Sequence, residues 1–368
     1  MKAILQAGCL LFCLGGEIAR SAADQVIVEW TSPDGVPWPP GYTNRVDLPP
    51  GLTNIVAVAA GGWFYSYPHS LALKADGGVF AWGDNAHGQA VVPPGLSNIV
   101  SIAAGDGHCL ALNAQGRVIA WGRDLGENDV TLGLSNVVAI AAGDNRVALR
   151  SDGTVVVWGD NAYAAHATAG LSNFVAISPF VALRDDGTLT SWGSYYWTAN
   201  SISNVMQIAS CPTRGLAQST AGISFNWGTA AVPPPDHATN LVAVACSRSH
   251  YLALRSDGTV VSWGDEANPP IGITNVQAIA AADFYSLALI GNSPLVLTSR
   301  IVNPGRDADG FSLFVEAQSG RVFRLEYKQS LSDPVWTPLA LVAGKAGLLK
   351  LSDPTAGTHQ RFYRVRRW

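Results

Sequence analysis

Between residues 26 and 290 the hydrophobic positions fall into three recurring words. The first is an apolar run rich in small side chains: "IVAVAAG" from Ile55, "IVSIAAG" from Ile99, "VVAIAAG" from Val137, "FVAISP" from Phe174, "VMQIAS" from Val205, "LVAVAC" from Leu241 and "VQAIAA" from Val276. The second is "LAL" or a relative of it, beginning at Leu71, Leu110, Val147, Val181, Leu216, Leu252 and Leu287. The third is a β-branched run closed by Trp-Gly, at Trp82, Trp121, Trp158, Trp192, Trp227 and Trp263. Between the second and third words stand "ADGG", "AQGR", "SDGT", "DDGT", "TAGI" and "SDGT". Asp-Gly between two apolar runs is a tight hairpin signal, because the turn needs φ > 0 and glycine takes it without steric penalty. Each unit therefore reads as a three-stranded meander.

The unit returns every 34–39 residues, which is the period of a β-propeller blade. Alanine-rich first strands suit the axis, where strands converge and only small side chains fit. The tryptophan suits an anchor between blades, since its side chain buries roughly 150–250 Å². There are seven first words and seven second words, but only six complete third words. "VIVEW" (Val26–Trp30) has the third pattern with nothing before it. As the missing strand of the last unit it brings the anchors to seven: Trp30, Trp82, Trp121, Trp158, Trp192, Trp227 and Trp263. The expected fold is all-β: a seven-bladed β-propeller over 24–290, closed by an N-terminal strand that hides two open sheet edges.

Both ends of the chain read differently. "MKAILQAGCLLFCLGGEIARSAA" has one basic residue, an apolar run and then small residues. It is expected to be a signal peptide over 1–23, too short to span a bilayer, so the protein is expected to be secreted or held at the cell surface. From 295 to 368 the runs "FSLFVEA" and "VFRLEYK" alternate apolar and polar positions between turn clusters. That pattern predicts a small β-sandwich accessory domain.

Composition narrows the chemistry. With 48% apolar and 14% charged residues the chain has ample core and is no disordered segment. Net charge is −4, and basic residues cluster only at Arg364, Arg366 and Arg367, which leaves no electrostatic footprint for nucleic acid. Cys109, Cys211 and Cys246 remain after the leader, an odd number that allows at most one bridge. His69, His108 and His250 share one repeat position, one per blade, and read as structural hydrogen bonds within each blade. Asp307 and Asp309 echo half a calcium loop without its downstream glutamate and read as a polar turn. No metal and no cofactor is expected.

The words "AAG…HSLAL…DG.V.AWGDN..GQ", clearest at Ala59–Gln89 and Ala243–Asp265, resemble the repeats of the regulator of chromosome condensation family. The resemblance covers the propeller region and implies a seven-bladed propeller. The units through "FVAISPFVALRDDG" and "VMQIASCPTRGLAQSTAG" lack the family's Gly and His positions. The eukaryotic namesake is a chromatin-bound nucleotide-exchange factor. The leader and the missing basic patch make the chain more similar to secreted bacterial members, and its cadence resembles that of a propeller-type β-lactamase inhibitor. Such a framework does not carry a target with it.

Function is expected where the units stop agreeing. Loops between first and second words, and segments after Trp-Gly, emerge on one face. There the sequence gathers Trp63, Phe64, Tyr65 and Tyr67 in "GWFYSYPH", Tyr195, Tyr196 and Trp197 in "GSYYWTAN", and Asp283, Phe284 and Tyr285 in "ADFYS". Exposed Tyr and Trp clusters are typical binding anchors. The expected role is a monomeric, non-catalytic binding module for a protein or glycan, with no membrane span. The alternatives are an extracellular hydrolase or lyase using loop carboxylates, and a cell-surface scaffold.

Overall fold

The computed structural model describes residues 11–13, 16–20, 26–31, 52–63, 66–123, 133–159, 172–192, 202, 204–219, 224–228, 231–264, 269, 272–283, 285–291, 301–307, 310–317, 321–344, 347–356 and 361–367. Every unit read from the sequence is an antiparallel sheet. Blade 1 comprises Ile55–Trp63, Ser66–Lys74 and Val79–Gly83, and blade 2 Ile99–Ala104, His108–Asn113 and Val118–Gly122. Blade 3 comprises Val137–Ala142, Asn145–Arg150 and Val155–Gly159, and blade 4 Phe174–Ser178, Val181–Arg184 and Leu189–Ser191. Blade 5 comprises Val205–Ser210, Arg214–Ser219 and Ser224–Gly228, and blade 6 Leu241–Cys246, His250–Arg255 and Val260–Gly264. Blade 7 takes Val276–Ala281 and Tyr285–Ile290 from one end of the repeat region and Val26–Thr31 from the other. Within it Trp30 pairs with Ser286 and Val28 with Ala288. Outside Val26–Thr31 lie two further strands, Gly16–Arg20 and Leu11–Cys13, inside the segment read as a leader.

The inner strand of each blade lies against that of the next, and the inner strand of blade 7 lies against that of blade 1. The circuit of contacts is closed. The second word of each unit is the buried middle strand: Leu71, Leu110, Val147, Val181, Leu216, Leu252 and Leu287 are all at most 1% exposed. Trp30, Trp82, Trp121, Trp158, Trp192 and Trp263 are buried as well, while Trp227 is only partly covered. The ring nitrogen of Trp121 donates to Gln89 O at 3.0 Å and that of Trp263 to Val232 O at 3.1 Å. Each bond ties a blade to the segment that leaves the blade before it.

A second periodic device sits at the start of each inner strand. Asn54, Asn98, Asn136, Asn173, Asn204, Asn240 and Asn275 all have φ between 54° and 67°. Asparagine tolerates this left-handed conformation better than other residues with a Cβ. At Asn98, Asn136, Asn173, Asn204 and Asn275 the hairpin glycine of the preceding blade packs against it. A Cβ on Gly187, itself at φ 83°, would come 2.8 Å from Asn204 N, so glycine is required there for both shape and space.

Residues 301–367 form two three-stranded sheets. One orders Ile301–Asp307, Gly310–Ala317 and Gly347–Asp353; the other orders Thr337–Ala343, Val322–Lys328 and Phe362–Arg367. Leu313, Val315, Phe323, Leu325, Leu349 and Leu351 form a shared core between them. This unit lies against the Asp-Gly turns. Leu341 N donates to Ser151 O at 3.2 Å, Arg366 and Arg324 pair with Asp185 at 2.6 and 2.8 Å, and Arg321 donates to Val242 O at 2.8 Å. Val242 is the second residue of an inner strand, so Arg321 ties this unit to the inner strand of blade 6. Burial there lowers its guanidinium to about 10. Among the described residues no helix is long and apolar enough to cross a membrane.

Candidate functional site

The end of the channel opposite that covered face is ringed by the ends of the inner strands and the connections that follow them. The hollow there has a volume of about 80 Å³ and is lined by Gly61, Gly105, Gly143, Pro179, Cys211, Ser247 and their neighbours. The glycines permit the close approach. A Cβ on Gly105 would meet Gly143 O at 2.5 Å, and Gly62 N donates to Gly105 O at 3.1 Å.

Just beyond those glycines, one repeat position carries the charge. It is Asp106 in blade 2, Asp144 in blade 3, Arg248 in blade 6 and Asp283 in blade 7. Ring geometry therefore gathers four residues that are far apart in the chain. Arg248 crosses the mouth and grips Asp144 with one nitrogen, at 3.0 and 2.9 Å from its two oxygens. Its backbone N–H donates to Asp283 Oδ1 at 2.9 Å, and its Nε lies 3.8 Å from Asp283 Oδ2. Asp106 pairs with Arg123 at 3.1 Å. Burial pushes the Asp283 carboxyl up to about 6, against the opposing pull of Arg248 and with help from Asp144 and Asp106. Among the described residues no group of three His, Cys, Asp or Glu side chains is arranged to hold a metal ion.

Below the mouth runs a girdle of buried polar side chains, all two residues before the second word. His69 Nε2 donates to His108 O at 3.4 Å, Arg214 to Ser249 O at 3.2 Å, and His250 Nε2 meets Ser286 Oγ at 2.7 Å. These bonds reach the next blade. The expected bonds within a blade are present as well for two of the three histidines: His108 Nδ1 donates to Asp106 O at 3.2 Å, and His250 Nδ1 meets Ser247 Oγ and Ser249 Oγ at 3.0 Å each. Burial, with Arg146 alongside, pushes the His108 imidazole well down; burial and Arg214 bring His250 to about 4.

Tyr285 belongs to the same girdle, and its expected role as a partner contact is corrected here. It is 2% exposed, and its hydroxyl donates to His69 O at 2.5 Å and pairs with Ser70 Oγ at 2.9 Å. It is the polar latch between blade 7 and blade 1. The sequence held the signal: Tyr285 stands two places before Leu287, as His69 stands before Leu71. Asp283 does lie at the open mouth. Phe64, Tyr65, Tyr195, Tyr196, Trp197 and Phe284 lie outside the described residues, as do the side chains of Trp63 and Tyr67. Asp106, Asp144 and Arg248 were not singled out from the sequence, although their shared repeat position brings them together.

Closed circuits of inner strands with tryptophan-anchored hairpins define an all-β repeat propeller. Four of the repeats match the model of the family described as Regulator of chromosome condensation (RCC1) repeat, over residues 55–89, 99–125, 137–164 and 241–268. Similar solved structures include Prp20p from Saccharomyces cerevisiae, 18% identical with a TM-score of 0.54, covering 74% of this chain and 93% of that one. A second is yeast RCC1 (Prp20) in complex with Kap60, 17% identical, TM-score 0.53, covering 80% and 95%. A third is the ectodomain of the Physcomitrella patens receptor kinase CR4, 19% identical, TM-score 0.52, covering 70% and 77%. No curated protein matches the sequence.

Proposed function

We propose that this protein is an exported, non-catalytic binding module that offers the open mouth of its propeller, with the loops around it, to a protein partner. The observation that carries this reading is the unequal treatment of the two ends of the channel. One end is covered by residues 301–367 through Leu341, Arg321, Arg324 and Arg366. The other presents Asp144, Arg248 and Asp283 with 34%, 21% and 14% of their side-chain surface exposed. Partly exposed, mutually paired charges at a concave mouth suit recognition of polar groups on a partner surface. The family likeness supports a protein partner: Prp20p is known with binding to Gsp1p and histones, and yeast RCC1 in complex with Kap60.

At the mouth the geometry favours binding over hydrolysis. Asp144 and Asp283 are both engaged by the Arg248 guanidinium rather than standing as a free pair of carboxylates. The hollow of about 80 Å³ is far below the roughly 300–1,000 Å³ typical of small-molecule sites. The test is affinity capture from the growth medium of the source cells with three baits. These are the native protein, an Asp144→Ala plus Arg248→Ala variant at the mouth, and an Asp257→Ala variant on a hairpin turn at the covered end. Binding proteins lost only with the mouth variant support the reading. An identical set with all three baits overturns it.

A further inference from the structure

Beyond binding, the mouth carries a chemistry of its own in two cysteines from adjacent blades. Cys211 follows the inner strand of blade 5, and Cys246 ends the inner strand of blade 6; both line the hollow. Their contacts interlock. Both thiols donate to one carbonyl, Ser247 O, at 3.3 Å from Cys211 and 3.5 Å from Cys246. The Cys246 thiol and the Cys211 amide both reach Arg214 O, at 3.8 and 2.9 Å. Both are half-buried free thiols, in contrast to the third, Cys109, which is fully buried.

We infer that Cys211 and Cys246 form a peroxide-responsive dithiol, which oxidises to a disulfide that staples blade 5 to blade 6 at the open mouth. The two sulfurs are inequivalent. Burial works against the Cys211 thiolate, but the neighbouring Cys246 thiol and hydrogen bonds from Thr213 and from the Arg214 amide outweigh it and hold this thiol below its ordinary value. Burial, and then the neighbouring Cys211, push the Cys246 thiol well up. One sulfur is thus prepared as nucleophile and the other as resolving thiol. The Cys211 thiolate attacks one oxygen of hydrogen peroxide. The O–O bond breaks, an S–O bond forms, and hydroxide leaves to take up a proton as water. The resulting sulfenic acid is attacked by Cys246 sulfur. The S–S bond forms, the S–O bond breaks, and the Cys246 proton leaves with the hydroxyl as a second water. Two thiols and one peroxide become one disulfide and two waters. Peroxide also fits a hollow of about 80 Å³, which has room for only a few molecules the size of water.

The test uses the full chain, exposed to dilute hydrogen peroxide and then alkylated, digested and mapped by mass spectrometry. The expected result is a peptide pair joined through Cys211 and Cys246, two mass units lighter than the reduced pair, with Cys109 still alkylatable after unfolding. In a Cys246→Ser variant, dimedone should label Cys211 about tenfold or more faster than Cys109, because reactivity follows the thiolate fraction. A Cys211→Ser variant should leave Cys246 unlabelled. If that variant does not fold, the peptide map of the native chain decides alone. Absence of the joined peptide, its formation through Cys109, or dimedone labelling of Cys246 ahead of Cys211 overturns the proposal.

Discussion

Blades 6 and 4 solve one problem in two ways. Blade 6 follows the repeat, and His250 reaches Ser286 of blade 7 through its side chain. Blade 4 has Pro179 where blade 6 has its histidine, and a proline side chain donates nothing. The link moves one strand inward. Ser178 Oγ and Ser210 Oγ lie 2.9 Å apart, Ser210 N donates to Ser178 Oγ at 2.8 Å, and Phe180 N to Ser210 Oγ at 3.1 Å. The pairing of blades 4 and 5 is kept while the residues that carry it change. The family model matches blades 1, 2, 3 and 6, where the repeat words are most intact. At these two boundaries the fold keeps a bond between blades; what a repeat pattern records is the usual side chain that makes it.

That comparison can be broken in several places. Deleting Val26–Thr31 removes the buried Ile27, Val28 and Trp30 and opens two sheet edges. We expect a loss on the order of 5 kcal/mol or more, read as a fall in melting temperature with light scattering from aggregates. Trp192→Ala in blade 4, at a site 1% exposed and bonded to Pro179 O, should cost about 3–5 kcal/mol. Trp227→Ala in blade 5 should cost about half as much, since this ring is only partly buried. Equal values by denaturant unfolding mean that blade 5 is as well anchored as its neighbour.

Acid separates the histidine blades from the others. His250 has a folded value of about 4 against an ordinary 6.5. Above pH 6.5 it is neutral in both states and contributes no pH dependence. As pH falls from 6.5 towards 4 only the unfolded chain takes the proton, so stability drops, by up to about 3 kcal/mol at the low end. His108 acts in the same direction. Asp283, raised to about 6 from 3.8, acts in the opposite sense as pH falls through that interval. His250→Gln should therefore flatten the fall measured by urea unfolding at pH 7, 6, 5 and 4, and Asp283→Asn should steepen it. Tyr285→Phe keeps the ring and removes the latch hydroxyl, for about 1–3 kcal/mol in thermal unfolding. The smallest effect is expected at a hairpin: Asp152→Ala loses only the exposed bonds to Thr154, under about 1 kcal/mol in the same assay.

Strand content and the sharing of the last blade between both chain ends were legible because each rests on local pattern. Alternating apolar words, positive-φ glycines and a surplus third word at Val26–Trp30 are all visible in one dimension. The seven asparagines that open the inner strands were equally visible, but their meaning lies in a backbone angle. The mouth was harder to read. Asp106, Asp144, Arg248 and Asp283 look like ordinary loop residues until the ring turns their shared repeat position into proximity. Tyr285 was misread because aromatic clustering in "ADFYS" suggested exposure. Counting back from Leu287 instead places it in the girdle. How the blade connections cover the axis depends on tertiary packing, which repeat spacing does not encode.

The shared last blade also sets a timetable. Trp30 cannot meet Ser286 until almost the whole repeat region exists, so the pairing that locks the circle is the most non-local in the propeller. Contacts of that kind form late and slowly. Until then a nascent chain carries two unpaired edges with the buried faces of Ile27, Val28 and Leu289 uncovered. Its vulnerable period is therefore the interval before closure, when edge pairing between molecules competes with pairing within one. A chaperone or rapid completion of the chain would matter most then.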